Sequence, residues 1–134
     1  GATSAYMIRS REQQLAPGAK EVGTIHAVSV ETGKTLWTFN SRAGVLPLMA
    51  TGGGLLFGGD VNGNFRAFDQ NTGTVLWDMN LGSPVNGFPV TYTANGKQYV
   101  VVSTGASLVS TGVSRLAPEL KQGSANTLYV FSLP

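Results

Sequence analysis

Residues 64–80 read NFRAFDQNTGTVLWDMN, and one period earlier residues 24–40 read TIHAVSVETGKTLWTFN. The copies share Ala27/Ala67, Thr32/Thr72, Gly33/Gly73, Leu36/Leu76, Trp37/Trp77 and Asn40/Asn80, each pair 40 positions apart. Each copy is an alternating run, a tight Thr-Gly turn and a second run carrying Leu-Trp, which is the pattern of a β-hairpin. A period of about forty residues with four strands per unit is the signature of a propeller blade. The fold class expected is all-β, built from β-propeller blades.

Outward from the repeat, the same pattern divides the chain. Residues 1–22 are expected to hold the leading strand and loop of a preceding blade, with a short strand at Ala5–Ile8 and a loop ending in Pro17-Gly18. Blades then fill 23–134: a hairpin over 24–40, a full four-stranded blade over 47–80, and a final three-stranded blade over 86–133. Strands are predicted at Pro47–Thr51, Leu55–Gly59, Asn64–Asp69, Thr74–Met79, Asn86–Tyr92, Gln98–Ser103 and Thr127–Leu133. Asn62-Gly63 and Asn95-Gly96 mark turns with two positive φ angles. Within the long excursion Thr104–Ala125, residues Leu116–Leu120 predict a single helical turn. The last unit lacks a fourth strand, so another segment or chain is expected to pair its open edge.

Composition bounds the function. A propeller ring needs several blades, and 134 residues hold about three, so the chain reads as a piece of a larger protein. It starts with Gly1, as expected of a processed, cleaved or engineered product. Nine basic residues against seven acidic give a net charge of +2 without any basic run, which argues against a nucleic-acid partner. Charged residues are 12% of the chain and glycines number 18, the balance of short buried strands joined by tight turns. The absence of cysteine excludes disulfides, thiol catalysis and cysteine-based metal sites in this chain.

Several chemistries are poorly supported. His26 is the only histidine and stands at an ordinary strand position matching Arg66, and no Gly-x-Ser-x-Gly is present. Asp60, Asn62 and Asn64 imitate the start of a calcium loop, yet Phe65 occupies the sixth position, where a glycine is needed. A hairpin turn is expected there instead. Trp37 and Trp77 recur with the repeat, so they are expected to hold adjacent blades together rather than to bind a ligand.

The spacing Ala-x5-Gly-x3-Trp in both copies resembles the tryptophan-docking motif of quinoprotein dehydrogenases. The segments GGLLFGGDVNGNFRAFD (53–69), GSPVNGFPVTY (82–92), GKQYVVVSTG (96–105) and NTLYVFSLP (126–134) resemble, in that order, the C-terminal end of pyrroloquinoline-quinone (PQQ)-dependent alcohol dehydrogenases. The resemblance implies an eight-bladed periplasmic propeller that oxidises alcohols with PQQ beside Ca²⁺ or a lanthanide ion. It further implies a cytochrome or membrane electron acceptor. The catalytic aspartate and metal ligands are implied to lie outside this chain, which alone is expected to be inactive, with the remaining blades as partners. Val85 and Asn86, entering an inner strand, are placed near the quinone, with an ordinary blade-to-blade turn as an equal alternative. Methanol-oxidising relatives carry tryptophans where this chain has Val45 and Val109. With Leu46 and Leu108 these valines would form the wall of a wider pocket, suited to a larger primary or secondary alcohol.

Two other readings stay open. One is a non-enzymatic propeller scaffold with the same repeat, presenting loops to protein partners. The other is a closed ring assembled from several copies of this chain.

Overall fold

The computed structural model describes residues 13–45 and 47–133. The strand expected at Ala5–Ile8 lies outside them. Among the described residues are nine strands and one helix: β1 Gly23–Val28, β2 Thr35–Ser41, β3 Leu48–Ala50, β4 Leu55–Gly59, β5 Asn64–Asp69, β6 Val75–Asn80, β7 Val90–Ala94, β8 Lys97–Thr104, α1 Leu108–Leu116 and β9 Thr127–Ser132. They form a two-stranded sheet β1-β2, a four-stranded sheet β3-β4-β5-β6 and a three-stranded sheet β7-β8-β9. All pairings are antiparallel between sequence neighbours, apart from the β8–β9 pair that α1 interrupts.

The two repeated hairpins close in the same way. Ser29 N–H donates to Lys34 O and Gly33 N–H to Ser29 O; Asp69 N–H donates to Thr74 O and Gly73 N–H to Asp69 O. Gly33 and Gly73 have φ of 68° and 72°, and the register shifts after Ala27 and after Ala67. This is a turn followed by a left-handed residue that forms a bulge, which suits glycine. In the second copy Asp69 Oδ1 accepts from Asn71 N–H, Thr72 N–H and Thr72 Oγ1, at 2.9, 2.8 and 3.1 Å.

The turn at 60–63 departs from its expectation. Gly63 has φ of 89° but Asn62 is not left-handed, because Asp60 Oδ1 accepts Asn64 N–H and Asp60 O accepts Gly63 N–H. The carboxylate lengthens the turn by supplying an acceptor that a two-residue turn lacks. Asn95-Gly96 does form the turn with two positive φ angles, 50° and 74°. The inner strand expected from Asn86 begins only at Val90. Residues 84–87 are instead held as a loop against the end of β8, by a bridge between Val85 and Thr104 and by Gly87 N–H donating to Ser103 O. The helical turn expected over Leu116–Leu120 is a simple turn, Leu120 N–H to Ala117 O, that follows a complete nine-residue helix. Ser107 and Ser110 cap that helix reciprocally, and Pro118 stands just past its end.

Aromatic side chains join the sheets. Trp37 Nε1 on β2 donates to Gln70 O across the gap to the next sheet at 2.9 Å. A Cβ on Gly73 would lie 2.5 Å from Trp37 Cε3, so the ring needs a glycine beneath it. Phe39 meets Phe68 edge-on at 4.9 Å. Between the second and third sheets, Phe57, Phe65, Ala67, Leu81, Val85, Val100 and Val102 form the buried core, and Trp77 meets Phe131 edge-on at 5.3 Å. Tyr129 Oη donates to Leu81 O at 3.0 Å, satisfying the one polar atom of that ring.

A charged cluster sits at one edge of the second sheet. Asp60, 2% exposed, receives Arg66 Nη1 at 2.7 Å and both the backbone and side-chain N–H groups of Asn64. Arg66 also donates from Nε to Asp78 at 2.9 Å and lies 5.7 Å above the Phe39 ring. A guanidinium shared between two carboxylates and an aromatic face is tolerated with little exposure because each donor has a partner.

Three outcomes follow in denaturant unfolding. Trp37→Phe keeps the ring but strands the Gln70 carbonyl and should cost about 1 kcal/mol, whereas Trp37→Ala should cost about 3 kcal/mol or more. Arg66→Ala leaves the Asp60 carboxylate buried without its cation and should cost about 3–5 kcal/mol, part of which the double change Asp60→Asn with Arg66→Met should restore. Hydrogen bonds from Thr72 and Asn71 hold the Asp69 carboxyl below its ordinary pKa, so its stabilisation is present above the usual carboxylate range and lost as pH falls through the lowered folded value. The stability difference between wild type and Asp69→Asn should therefore shrink on acidification below about pH 4. A difference that stays constant there would assign the turn's stability to its shape alone.

Candidate functional site

Antiparallel order sends every second connection to the same end of the sheets. At one end lie the tight turns, residues 29–34, 51–54, 70–74 and 95–96; at the other lie 42–47, 60–63, 81–89 and the excursion 105–126 that contains α1. Recognition in such folds sits on the longer loops. At the long-loop end Val85 bridges Thr104 and Asn86 bonds to Gly105 and Ser107, just ahead of Leu108 and Val109, while Val45 lies on the separate connection after β2, beside Gly23. Leu46 and the side chains of Leu108 and Val109 lie outside the described residues.

Each of these positions has a local cause. Val45 is half-buried beside Gly23, where a Cβ would come within 2.6 Å of the Val45 nitrogen. It borders a hollow lined by Ile25, Phe39, Gly59, Asp60 and Arg66, of about 10 Å³, enough for at most one water. Val85 is fully buried, with its N–H on Asp60 O at 3.1 Å. A Cβ on Gly59 would lie 2.3 Å from Val85 Cβ, so the strand end and the loop interlock only because residue 59 is glycine. Val85 thus has no surface left for a ligand. Asn86, half-buried, donates from its side-chain amide to Gly105 O and accepts from Ser107 Oγ at 3.0 Å.

Arg42 fastens the far end of α1. Its Nη2 donates to Leu116 O at 2.9 Å, its Nε to Glu119 Oε1 at 2.6 Å and its Nη1 to Lys20 O at 2.7 Å. The hydrogen bond from Arg42 holds the Glu119 carboxyl below its ordinary pKa. Val113, buried on the helix, faces Gly44, where a Cβ would meet it at 3.4 Å. Neither Arg42 nor the helix stood out in the sequence. A lone arginine has no partner until the fold brings up residues 116–119, and the only local sign of the helix start was Ser107-x-x-Ser110.

A larger concavity lies elsewhere among the described residues. A groove of about 470 Å³ between the second and third sheets is lined by Leu55, Phe57, Leu76, Trp77 and Phe131 among others. It lacks the few convergent polar groups that orient a small molecule, so it is a gap between sheets rather than a reaction site. His26 shares an exposed cross-strand contact with Thr38, Nδ1 to Oγ1 at 3.3 Å. Among the described residues no group of three or more His, Cys, Asp or Glu side chains converges on a metal site. Among them, too, no helix is long and apolar enough to cross a membrane.

Comparison with known proteins gives these observations a family. Residues 41–100 match the family described as PQQ, the β-propeller domain of glucose, ethanol and alcohol dehydrogenases. The chain is 36% identical over 121 residues to a quinoprotein ethanol dehydrogenase of Pseudomonas putida, covering 84% of the chain and 19% of that protein. It is 39% identical over 85 residues to methanol dehydrogenase [cytochrome c] subunit 1 of Methylorubrum extorquens, covering 63% of the chain and 14% of that protein. A solved structure of a europium-containing methanol dehydrogenase superposes with a TM-score of 0.75 at 29% identity, covering 87% of the chain and 24% of that structure. The chain thus spans about a fifth or less of the curated relatives named here. Its repeat, its tryptophan-joined sheets and these matches agree: the chain belongs to the quinoprotein alcohol dehydrogenase family and forms part of a β-propeller.

Proposed function

We propose that this chain supplies blades and one wall of the substrate pocket to a PQQ-dependent alcohol dehydrogenase. The observation that supports the reading is that Asn86 bonds to Ser107 at the start of α1 on the long-loop end of family sheets, the end that also carries Val45. The remaining blades of the propeller are its partners and contribute the metal ligands and the catalytic base. Bound beside Ca²⁺ or a lanthanide ion, PQQ supplies the two-electron acceptor for the alcohol. Asn86 borders that site through its exposed edge. Val85 packs behind it and keeps the 81–89 loop in place.

Val45 and the start of α1 set the width of the pocket. Neither Val45 nor Val109 is aromatic, so the wall has less bulk than a tryptophan-built one, and a larger primary or secondary alcohol is the substrate class we favour over methanol. The acceptor is a cytochrome, of the kind named for the methanol-oxidising relative, or a membrane carrier. The site of action is the periplasm.

The full-length protein carrying this chain, supplied with PQQ and Ca²⁺ or La³⁺, should reduce a dye in proportion to added alcohol. Its kcat/KM should rise from methanol toward longer primary alcohols. Val45→Trp should lower kcat/KM for the longer alcohols by about tenfold or more and leave ethanol less affected. Failure to bind PQQ would overturn the enzymatic reading in favour of a binding scaffold, and equal loss on all alcohols would remove Val45 from the pocket wall.

A further inference from the structure

We propose, on the pocket reading above, that Asn86 is a positioning residue that fixes the start of α1 and through it the alcohol preference of the site. The sequence reading placed this residue near the quinone or in an ordinary turn; its side-chain hydrogen bonds run to Gly105 O and to Ser107 Oγ at the start of the helix. Gly105 O can only accept, so the amide nitrogen of Asn86 must face it, and the side-chain oxygen is thereby turned to Ser107. Ser107 Oγ accepts Ser110 N–H at 3.2 Å, which leaves its own proton free to go to Asn86 Oδ1 at 3.0 Å. Ser110 Oγ in turn accepts Ser107 N–H at 2.7 Å. A continuous chain of donors and acceptors therefore links the 81–89 loop to the first turn of the helix.

The helix has need of that link. Its sequence, LVSTGVSRL, contains two valines, a glycine and three Ser/Thr residues, all weak helix formers, and no acidic residue occupies its first turn. A nine-residue helix of this composition is not stable by itself. Its placement therefore comes from its ends and from burial of Val113 and Ala117. Arg42, reaching from the end of β2, fastens the C-terminal end through Leu116 O and Glu119. Asn86, reaching from the loop after β6, fastens the N-terminal end. The two anchors come from different sheets, so α1 spans the long-loop end, and Leu108 and Val109 occupy the turn that Asn86 governs. Loss of Arg42 would free the end remote from these residues; loss of Asn86 would free the end that holds them.

The test uses the full-length protein with PQQ and Ca²⁺ bound, with Asn86→Ala, Ser107→Ala and Ser107→Thr compared with wild type by amide hydrogen exchange and by kcat/KM over a series of primary alcohols. Asn86→Ala and Ser107→Ala should speed exchange at Ser110 and Thr111 by about tenfold or more, while Ala117, bonded to Val113 O, and the amides of β5 change little. The same two variants should compress the kcat/KM ratio between the best and the poorest alcohol by about tenfold or more. Ser107→Thr, which keeps the hydroxyl, should resemble wild type in both readouts. Unchanged exchange in Asn86→Ala overturns the anchor, and faster exchange with an unchanged alcohol ratio overturns its role in specificity. If the wild type oxidises no alcohol, the specificity role falls together with the proposed function, and the exchange data decide the anchor by themselves.

Discussion

The contact on which the rest of the structure depends is the seating of Trp37 on the turn of the next sheet. A two-stranded hairpin is marginal in water, and its side chains gain stability only when another sheet covers one face. Trp37 does this twice over: the ring covers the Gly73 turn, and its N–H donates to Gln70 O on the next sheet at 2.9 Å. The fit depends on the turn having no side chain at residue 73 and on the bulge that places Gln70 O within reach. One sequence motif thus supplies the hairpin's own turn and the receptor for its predecessor's tryptophan. A repeat that encodes both halves of a joint propagates by stacking, and this is why the spacing from Gly33 to Trp37 and from Gly73 to Trp77 is the same.

A second joint works by charge. Asp60, Asn62 and Asn64 imitate the beginning of a calcium loop, yet the Asp60 carboxylate is saturated by the hydrogen bonds of its own hairpin and by Arg66. Desolvating an aspartate is unfavourable unless such partners are preorganised. Here they lie four and six residues along the chain, so the turn that brings them in also creates the acceptor they need. The carbonyl of Asp60 then holds Val85 N–H, which ties the turn of the second sheet to the loop that enters the third. Between the second and third sheets, the edge-on contact of Trp77 with Phe131 and this polar tie fix two points, which leaves little freedom for one to rotate on the other.

The fold was legible in the sequence wherever the controlling interaction is local or repeated. The hairpins, the glycine turns and the role of Trp37 all depend on spacings within a dozen residues or on a second copy of the same words. What was not legible depends on partners far apart in the chain. The strand expected from Asn86 gives way to a loop because Thr104 and Ser103 claim its backbone groups. The helix was missed because weak propensity over Leu108–Leu116 outweighed the helical spacing of Val109, Val113 and Leu116, and its capping serines look like loop residues. Arg42 and Glu119 are 77 positions apart. For the candidate pocket residues, the sequence named positions in the longer connections, which lie at one end of the sheets. It said less about what each side chain does: Val85 turns into the core, and Asn86 turns toward the helix.

That division of labour follows from the geometry of antiparallel blades. Tight turns at one end keep the strands in register and leave no room for a ligand. The loops at the opposite end are free to differ in length because docking elsewhere already holds the sheets. A weak helix can be tolerated in such a loop only if the rigid sheets hold its ends, and here they do so through one amide and one guanidinium. The consequence is that the shape of the long-loop end becomes separable from fold stability. Substitutions in the tryptophan joint act on the whole stack of sheets, whereas substitutions in the helix anchors act on the position of α1. In this chain the joint between sheets and the anchors of the helix are carried by different residues at opposite ends of the same strands.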